Sequence, residues 1–258
     1  MTLSNPANPA SRPISKNQVK EKTPARTYVR MGRELQRFRK RLAKSMELII
    51  RGHPDAYLKA AKGVIHVGAN EGQERRLYAK HDLRVVWIEP IPSVFQTLEE
   101  NIKSYSKQRA IRALITDREG ASYTLHIASN NGAASSIYDM HHCKDIWPEV
   151  TYVDQLSLTS STLPSVLESN DINLNDYDVL IMDTQGTELD ILIGSVKILP
   201  YFKYIKTEAA DFEAYRQCGR LSEIEAFLAN HNFKIVRKDK FAERPEGGAY
   251  YDLLFKRR

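Results

Sequence analysis

Short apolar runs alternate along this chain with segments of helical spacing, and the alternation is clearest between Gly63 and Glu89. Val64, Ile65 and Val67 lead into the turn Gly68-Ala69-Asn70-Glu71-Gly72, Gln73 to Lys80 has helical character, and Val85 to Ile88 runs to Glu89. Apolar runs punctuated by glycine and separated by helical segments predict buried strands joined by helices. Val94, Phe95, Leu98 and Ile102 then place a helix over Ser93 to Lys103, entered through Pro90 and Pro92. Ala110 to Ile115 reads as a third buried strand ending at Thr116 and Asp117, Ser122 to Ala128 alternates as a half-exposed strand, and Ser129 to Ser136 reads as a polar loop. Glu149 to Leu158 is assigned as an accessory strand. Leu163 to Ser169 predicts a helix, Asp178 to Met182 a strand, Glu188 to Leu199 a helix and Tyr204 to Thr207 a strand ending at Glu208. A helix over Leu221 to Asn230 and strands over Phe233 to Lys238 and Ala249 to Phe255 complete the pattern.

This order predicts an α/β fold, with a mostly parallel sheet covered on both faces and ligands at the carboxyl ends of its strands. The last two strands are joined by too few residues for a helical crossover, so one of them is antiparallel.

Charge divides the chain. Residues 1–51 hold 13 Lys/Arg against 3 acids, leaving 25 against 29 for the rest. Proline, serine, asparagine and lysine make 1–25 a disordered tail, 26–59 reads as a basic amphipathic helical extension, and 60–258 forms the main domain. In the extension, Met31, Leu35, Phe38, Leu42, Met46 and Ile49 form one stripe, with Arg33, Arg37, Lys40 and Lys44 on another face. That basic face suits an anionic partner or peripheral contact with a membrane. No apolar run approaches the roughly 18 residues that span a bilayer, and the first residues lack the apolar core of a secretory signal. Cys143 and Cys218 lie outside metal or redox spacings, which makes a cytoplasmic location the default expectation.

The glycine turn carries the chemistry. Such a turn between strand and helix brings backbone N–H groups close to a ligand, and Glu89 at the next strand end can take both hydroxyls of a ribose. Asn70 stands where a dinucleotide fingerprint has its middle glycine, which crowds a pyrophosphate and disfavours an NAD-dependent oxidoreductase. A smaller polar tail, such as the amino acid end of S-adenosylmethionine, fits better.

Five segments in this order resemble the FkbM family of class I S-adenosylmethionine-dependent methyltransferases. They are His66-Val-Gly-Ala-Asn-Glu-Gly72, Ile88-Glu-Pro-Ile-Pro-Ser-Val-Phe95, Ala134-Ser-Ser-Ile137, Leu180-Ile-Met-Asp-Thr-Gln-Gly-Thr-Glu-Leu189 and Gly248-Ala-Tyr-Tyr-Asp-Leu-Leu-Phe255. The resemblance implies a Rossmann-like fold, a seven-stranded sheet with a reversed last strand, and methylation of oxygen on a sugar, glycan or other hydroxylated metabolite. It implies a cofactor site from His66, Gly68, Ala69, Asn70, Gly72, Gln73, Glu89, Pro90 and Ile91, with Thr116 and Asp117 near the adenine and Ser135, Asp183, Gln185 and Gly186 completing it. His66 departs from the more usual aspartate and offers a neutral imidazole acceptor to the cofactor's ammonium. Methyl transfer needs no metal, so Asp183 and Glu208 at strand ends are the candidate catalytic acids. Adjacent His141 and His142 lack the spacing of metal ligands. Tyr250 and Tyr251 alternate on the last strand, one for the core and one for the border of an acceptor pocket. Nucleic acid is not the expected partner. A non-catalytic binding or scaffold protein, using the basic helix beside a nucleoside pocket, is the alternative.

Overall fold

The computed structural model describes residues 53–258; the expected tail and the whole stripe from Met31 to Ile49 lie outside the described residues. Ten strands follow in chain order: β1 Gly63–Val67, β2 Arg84–Ile88, β3 Gln108–Ile111, β4 Leu114–Ile115, β5 Ser122–Ala128, β6 Tyr152–Ser161, β7 Val179–Met182, β8 Tyr204–Ala210, β9 Phe233–Glu243 and β10 Ala249–Arg257. Seven form one sheet in the order β3-β2-β1-β7-β8-β10-β9. The first five of these pair in parallel, while β10 is antiparallel to both neighbours. The reversed last strand therefore sits inside the sheet, between β8 and β9.

The two central strands, β1 and β7, are buried along their whole length, as continuous apolar runs in parallel strands require. Their alternate residues feed opposite layers. Ile65, Val86, Leu180, Met182 and Ile205 join one core with Leu167, Leu192 and Leu228 of the helices Leu163–Ser169, Glu188–Gly194 and Leu221–Asn230. Val64, Val85, Trp87, Val179 and Ile181 join the other with Tyr78 of the helix Arg75–Lys80 and Leu98 and Ile102 of the helix Pro92–Ile102. Tyr57–Arg258 is one compact unit, with Tyr57 and Leu58 buried in this second core. Among the described residues no helix is long and apolar enough to cross a membrane.

Four expectations are corrected. Ala110 to Ile115 is not one strand: β3 closes the edge of the main sheet, and Leu114–Ile115 turns away to pair with Ser160–Ser161 in a second sheet ordered β4-β6-β5. An apolar run looks the same on either sheet, so its spacing does not reveal the break. The helix from Glu188 stops at Gly194, where a Cβ would lie 2.7 Å from the Thr116 carbonyl oxygen, and Leu199–Tyr201 forms a separate 3-10 turn. Finally, β8 runs on to Ala210, because Ala209 and Ala210 pair with Tyr251 and Tyr250 of β10. Glu208 thus stands within a strand rather than at its end. The accessory strand is also displaced, starting at Tyr152 and reaching Ser161.

Candidate active site

Beyond β1 the chain turns sharply at Gly68, whose φ of +77° belongs to the left-handed region and where a Cβ would overlap the Asp183 carbonyl oxygen. Only glycine lets the ends of β1 and β7 approach this closely. Asn70, at φ 45°, folds its side chain back into the turn: its Oδ1 accepts from Glu71 N at 2.8 Å and from Gln73 Nε2 at 3.1 Å. Its backbone N–H donates to Glu89 Oε2 at 2.9 Å, and Ile91 N–H donates to Oε1 at 3.0 Å. The glycine turn and the end of β2 are thereby tied through one carboxylate. Glu89 is only 4% exposed. Burial pushes it up to about 7, against the pull of the two amide donors, with Asp183 adding repulsion.

His66 stacks on Trp87 at 5.1 Å, and its Nδ1 lies 3.2 Å from the Tyr78 hydroxyl. Burial, with Lys206 nearby, lowers it to about 3, so the ring is neutral. A phenol donating to Nδ1 leaves the ring proton on Nε2, whereas an Nδ1–H donating to the phenol leaves Nε2 as the acceptor, so the tautomer sets what His66 offers a ligand.

After β7 the Asp-Thr-Gln-Gly-Thr-Glu segment is fixed by its own side chains. Glu188 Oε1 accepts from Thr184 N at 2.8 Å and from Thr184 Oγ1 at 3.1 Å, and Oε2 accepts from Gly186 N at 3.0 Å. Glu188 thus closes the loop. Asp183 Oδ1 accepts instead from Gln185 Nε2 at 2.5 Å. The other end of that amide, Gln185 Oε1, accepts from the Tyr215 hydroxyl at 2.8 Å, and Ser136 Oγ donates to the Gln185 carbonyl at 2.7 Å. Asp183 is therefore oriented by a pinned amide. Burial first, then the charge of Glu188, raises it to about 7. Glu208, on the neighbouring strand, is pushed up to about 9 by burial and by Asp183 and Asp252.

These groups border two cavities. The first, about 290 Å³, is walled by His66, Gly68, Ala69, Asn70, Gln73 and Glu89, then by Pro90, Ile91, Ser135, Asp183 and Gln185. Gly72, Thr116, Asp117 and Gly186 do not reach its wall. Gly72 shapes the turn, and Thr116 is wholly buried with its hydroxyl bonded to the backbone of Arg118. Leu114, Ile115 and Leu125 form an apolar wall of this cavity. Gly132 to Ile137, apart from Ala134, adds a further side that no sequence motif but Ala134-Ser-Ser-Ile137 had announced. The second cavity, about 230 Å³, has Met140, Cys143, Trp147, Val150, Phe241 and Tyr250 as its wide wall and Asp183, Gln185 and Glu208 as polar groups. Ala133, Asp183 and Gln185 belong to both. Among the described residues neither cavity is lined by lysine or arginine.

The first cavity fits S-adenosylmethionine. Glu89 offers carboxylate lone pairs for ribose hydroxyls, the apolar wall suits an adenine face, and the wall supplies no cation for a pyrophosphate.

The methyltransferase FkbM domain matches residues 66–235. The chain is 24% identical over 160 residues to the 2-O-methyltransferase NoeI of Sinorhizobium fredii, a stretch that covers 59% of this chain and 65% of that relative. Solved structures similar to it include magnesium protoporphyrin IX methyltransferase from Synechocystis with bound SAM, at TM-score 0.43 and 10% identity, covering 76% of this chain and 69% of that one. TYW2 of M. jannaschii in complex with AdoMet aligns at TM-score 0.40 and 15% identity over 76% and 69% of the two chains. With the family's domain matched across most of the described unit, the chain belongs to the FkbM methyltransferases.

Proposed function

We propose that this protein is an S-adenosylmethionine-dependent O-methyltransferase acting on a neutral, hydroxylated acceptor about the size of one sugar ring. The observation that carries this reading is the meeting of the two cavities at Asp183 and Gln185. A base held between a cofactor cavity and an acceptor cavity is what methyl transfer to a hydroxyl requires. The activity of the relative NoeI, 2-O-methyl transfer, points the same way.

When bound, S-adenosylmethionine supplies a methyl group activated on a sulfonium. Glu89 would hold its ribose, and His66 with the turn from Gly68 to Gln73 its amino acid end. In the second cavity, the aromatic wall takes an acceptor ring, and Asp183, poised near neutrality, accepts the hydroxyl proton as the oxygen becomes nucleophilic. Gln185 and Tyr215 keep that carboxylate in place. An anionic acceptor is disfavoured, because the Asp183 carboxylate faces it without a compensating cation among the described lining residues.

Transfer of labelled methyl from S-adenosylmethionine to a panel of neutral glycosides, glycolipids and nucleic acids tests the reading. Label on hydroxyls of neutral acceptors is expected. Label confined to nucleic acid would overturn it.

A further inference from the structure

Two tyrosines wall the acceptor cavity, and only one has its hydroxyl engaged. Tyr215 donates to Gln185 at 2.8 Å. The Tyr250 hydroxyl is buried without a hydrogen-bond partner in a residue only 7% exposed. Its ring is held from three sides, by Trp147 at 5.2 Å, Phe212 edge-on at 5.3 Å and Phe241 at 5.7 Å. Its backbone is fixed between Ala210 of β8 and Ala242 of β9. A phenol cannot easily swing away from such packing, and a buried hydroxyl left unpaired is destabilising.

Glu208 stands beside it. Asp252 opposes Glu208 and Tyr250 opposes Ala210 in the β8–β10 register, so these side chains share one face of the sheet. Both Tyr250 and Glu208 line the acceptor cavity and a narrow recess of about 20 Å³ that also touches Gln185. We propose that Tyr250 and Glu208 form a second oxygen-binding subsite, which selects a neutral polyol ring carrying a hydroxyl next to the one methylated. This rests on the methyl-transfer reading and adds a specificity-determining residue to it.

The charges around Glu208 agree. Asp183 just after β7, Glu188 on the following helix and Asp252 on β10 all oppose its ionisation, against the pull of Lys206 on its own strand. Glu208 consequently keeps its proton at neutral pH and offers an O–H, as Tyr250 does. The labour is divided: Asp183 takes the proton of the reacting hydroxyl, while Glu208 and Tyr250 hold its neighbour.

The test uses the full chain with S-adenosylhomocysteine bound, following Trp147 fluorescence while methyl glucopyranoside, methyl galactopyranoside and their monodeoxy derivatives are titrated in. Trp87, the other tryptophan, is fully buried and gives a constant background. A parent glycoside should bind, and loss of one ring hydroxyl should weaken it by about tenfold or more. Tyr250→Phe, checked for an unchanged melting temperature, should bind parent and deoxy forms within about threefold of one another. Glu208→Gln, which keeps a donor, should retain the discrimination that Glu208→Ala loses. Full discrimination in Tyr250→Phe, or none in the parent protein, overturns the subsite. So does cofactor binding by calorimetry with no glycoside bound, which leaves methyl transfer standing. Absence of cofactor binding overturns both.

Discussion

Glu89 faces two opposed demands: two backbone amides favour its charge, while burial disfavours it and holds it at about 7. Ribose hydroxyls donate to the ionised form, so bound cofactor should release a proton, and affinity should rise between about pH 6 and 8. Calorimetry in buffers of different ionisation enthalpy measures that release. Glu89→Gln should abolish the pH dependence and weaken binding by about 1.5–3 kcal/mol. At Asp183 the chemistry is separable from the binding. Asp183→Asn keeps the shape and removes the base, so turnover should fall about 10²–10⁴-fold with cofactor affinity nearly unchanged. For the parent protein, kcat/KM should rise as pH passes about 7, where Asp183 loses its proton. A flat profile would deny it the role of base.

At the scale of elements, the turn after β1 positions two strand ends at once. Gly68→Ala combines a left-handed φ with overlap onto the Asp183 carbonyl, so it should destabilise by about 2–4 kcal/mol and lower turnover even where the fold survives. Denaturant melts and assays of the surviving protein check both. This turn, Glu89 and the Asp-x-Gln-Gly-x-Glu loop were legible in the sequence because neighbours in the chain build them. The helices Leu163–Ser169 and Leu221–Asn230 were read to their terminal residues for the same reason: local capping sets their starts, Thr162 accepting from Ser165 N and Arg220 N donating to Glu223. The acceptor wall was not legible. Trp147, Phe241 and Tyr250 meet there through sheet order and a loop, and no local spacing records that. Nor was the apolar wall formed by Leu114 and Ile115 legible, because their departure to another sheet leaves no mark in hydropathy.

Across the whole molecule, the acids at the site work against the fold. Glu89, Asp183 and Glu208 all titrate above their ordinary range. The native state therefore binds more protons than the unfolded chain between about pH 4 and the raised values, and stability falls as pH rises through that window. Asp183→Asn and Glu208→Gln should be more stable than the parent at pH 8 and indistinguishable from it below about pH 4. A gain of about 1 kcal/mol would raise Tm by about 2–4 °C, which thermal melts at the two pH values resolve.

The position of β10 bears on how the protein is made. Although β10 follows β8 and β9 in the chain, it enters the interior of the sheet between them. Every residue walling the first cavity precedes Glu188, so a growing chain carries the whole cofactor half long before Tyr250 exists. Recognition of the acceptor must wait for Phe241 and Tyr250. A chain ended before Ala249 would hold a complete cofactor wall beside two unpaired strand edges, the surfaces through which incomplete proteins aggregate.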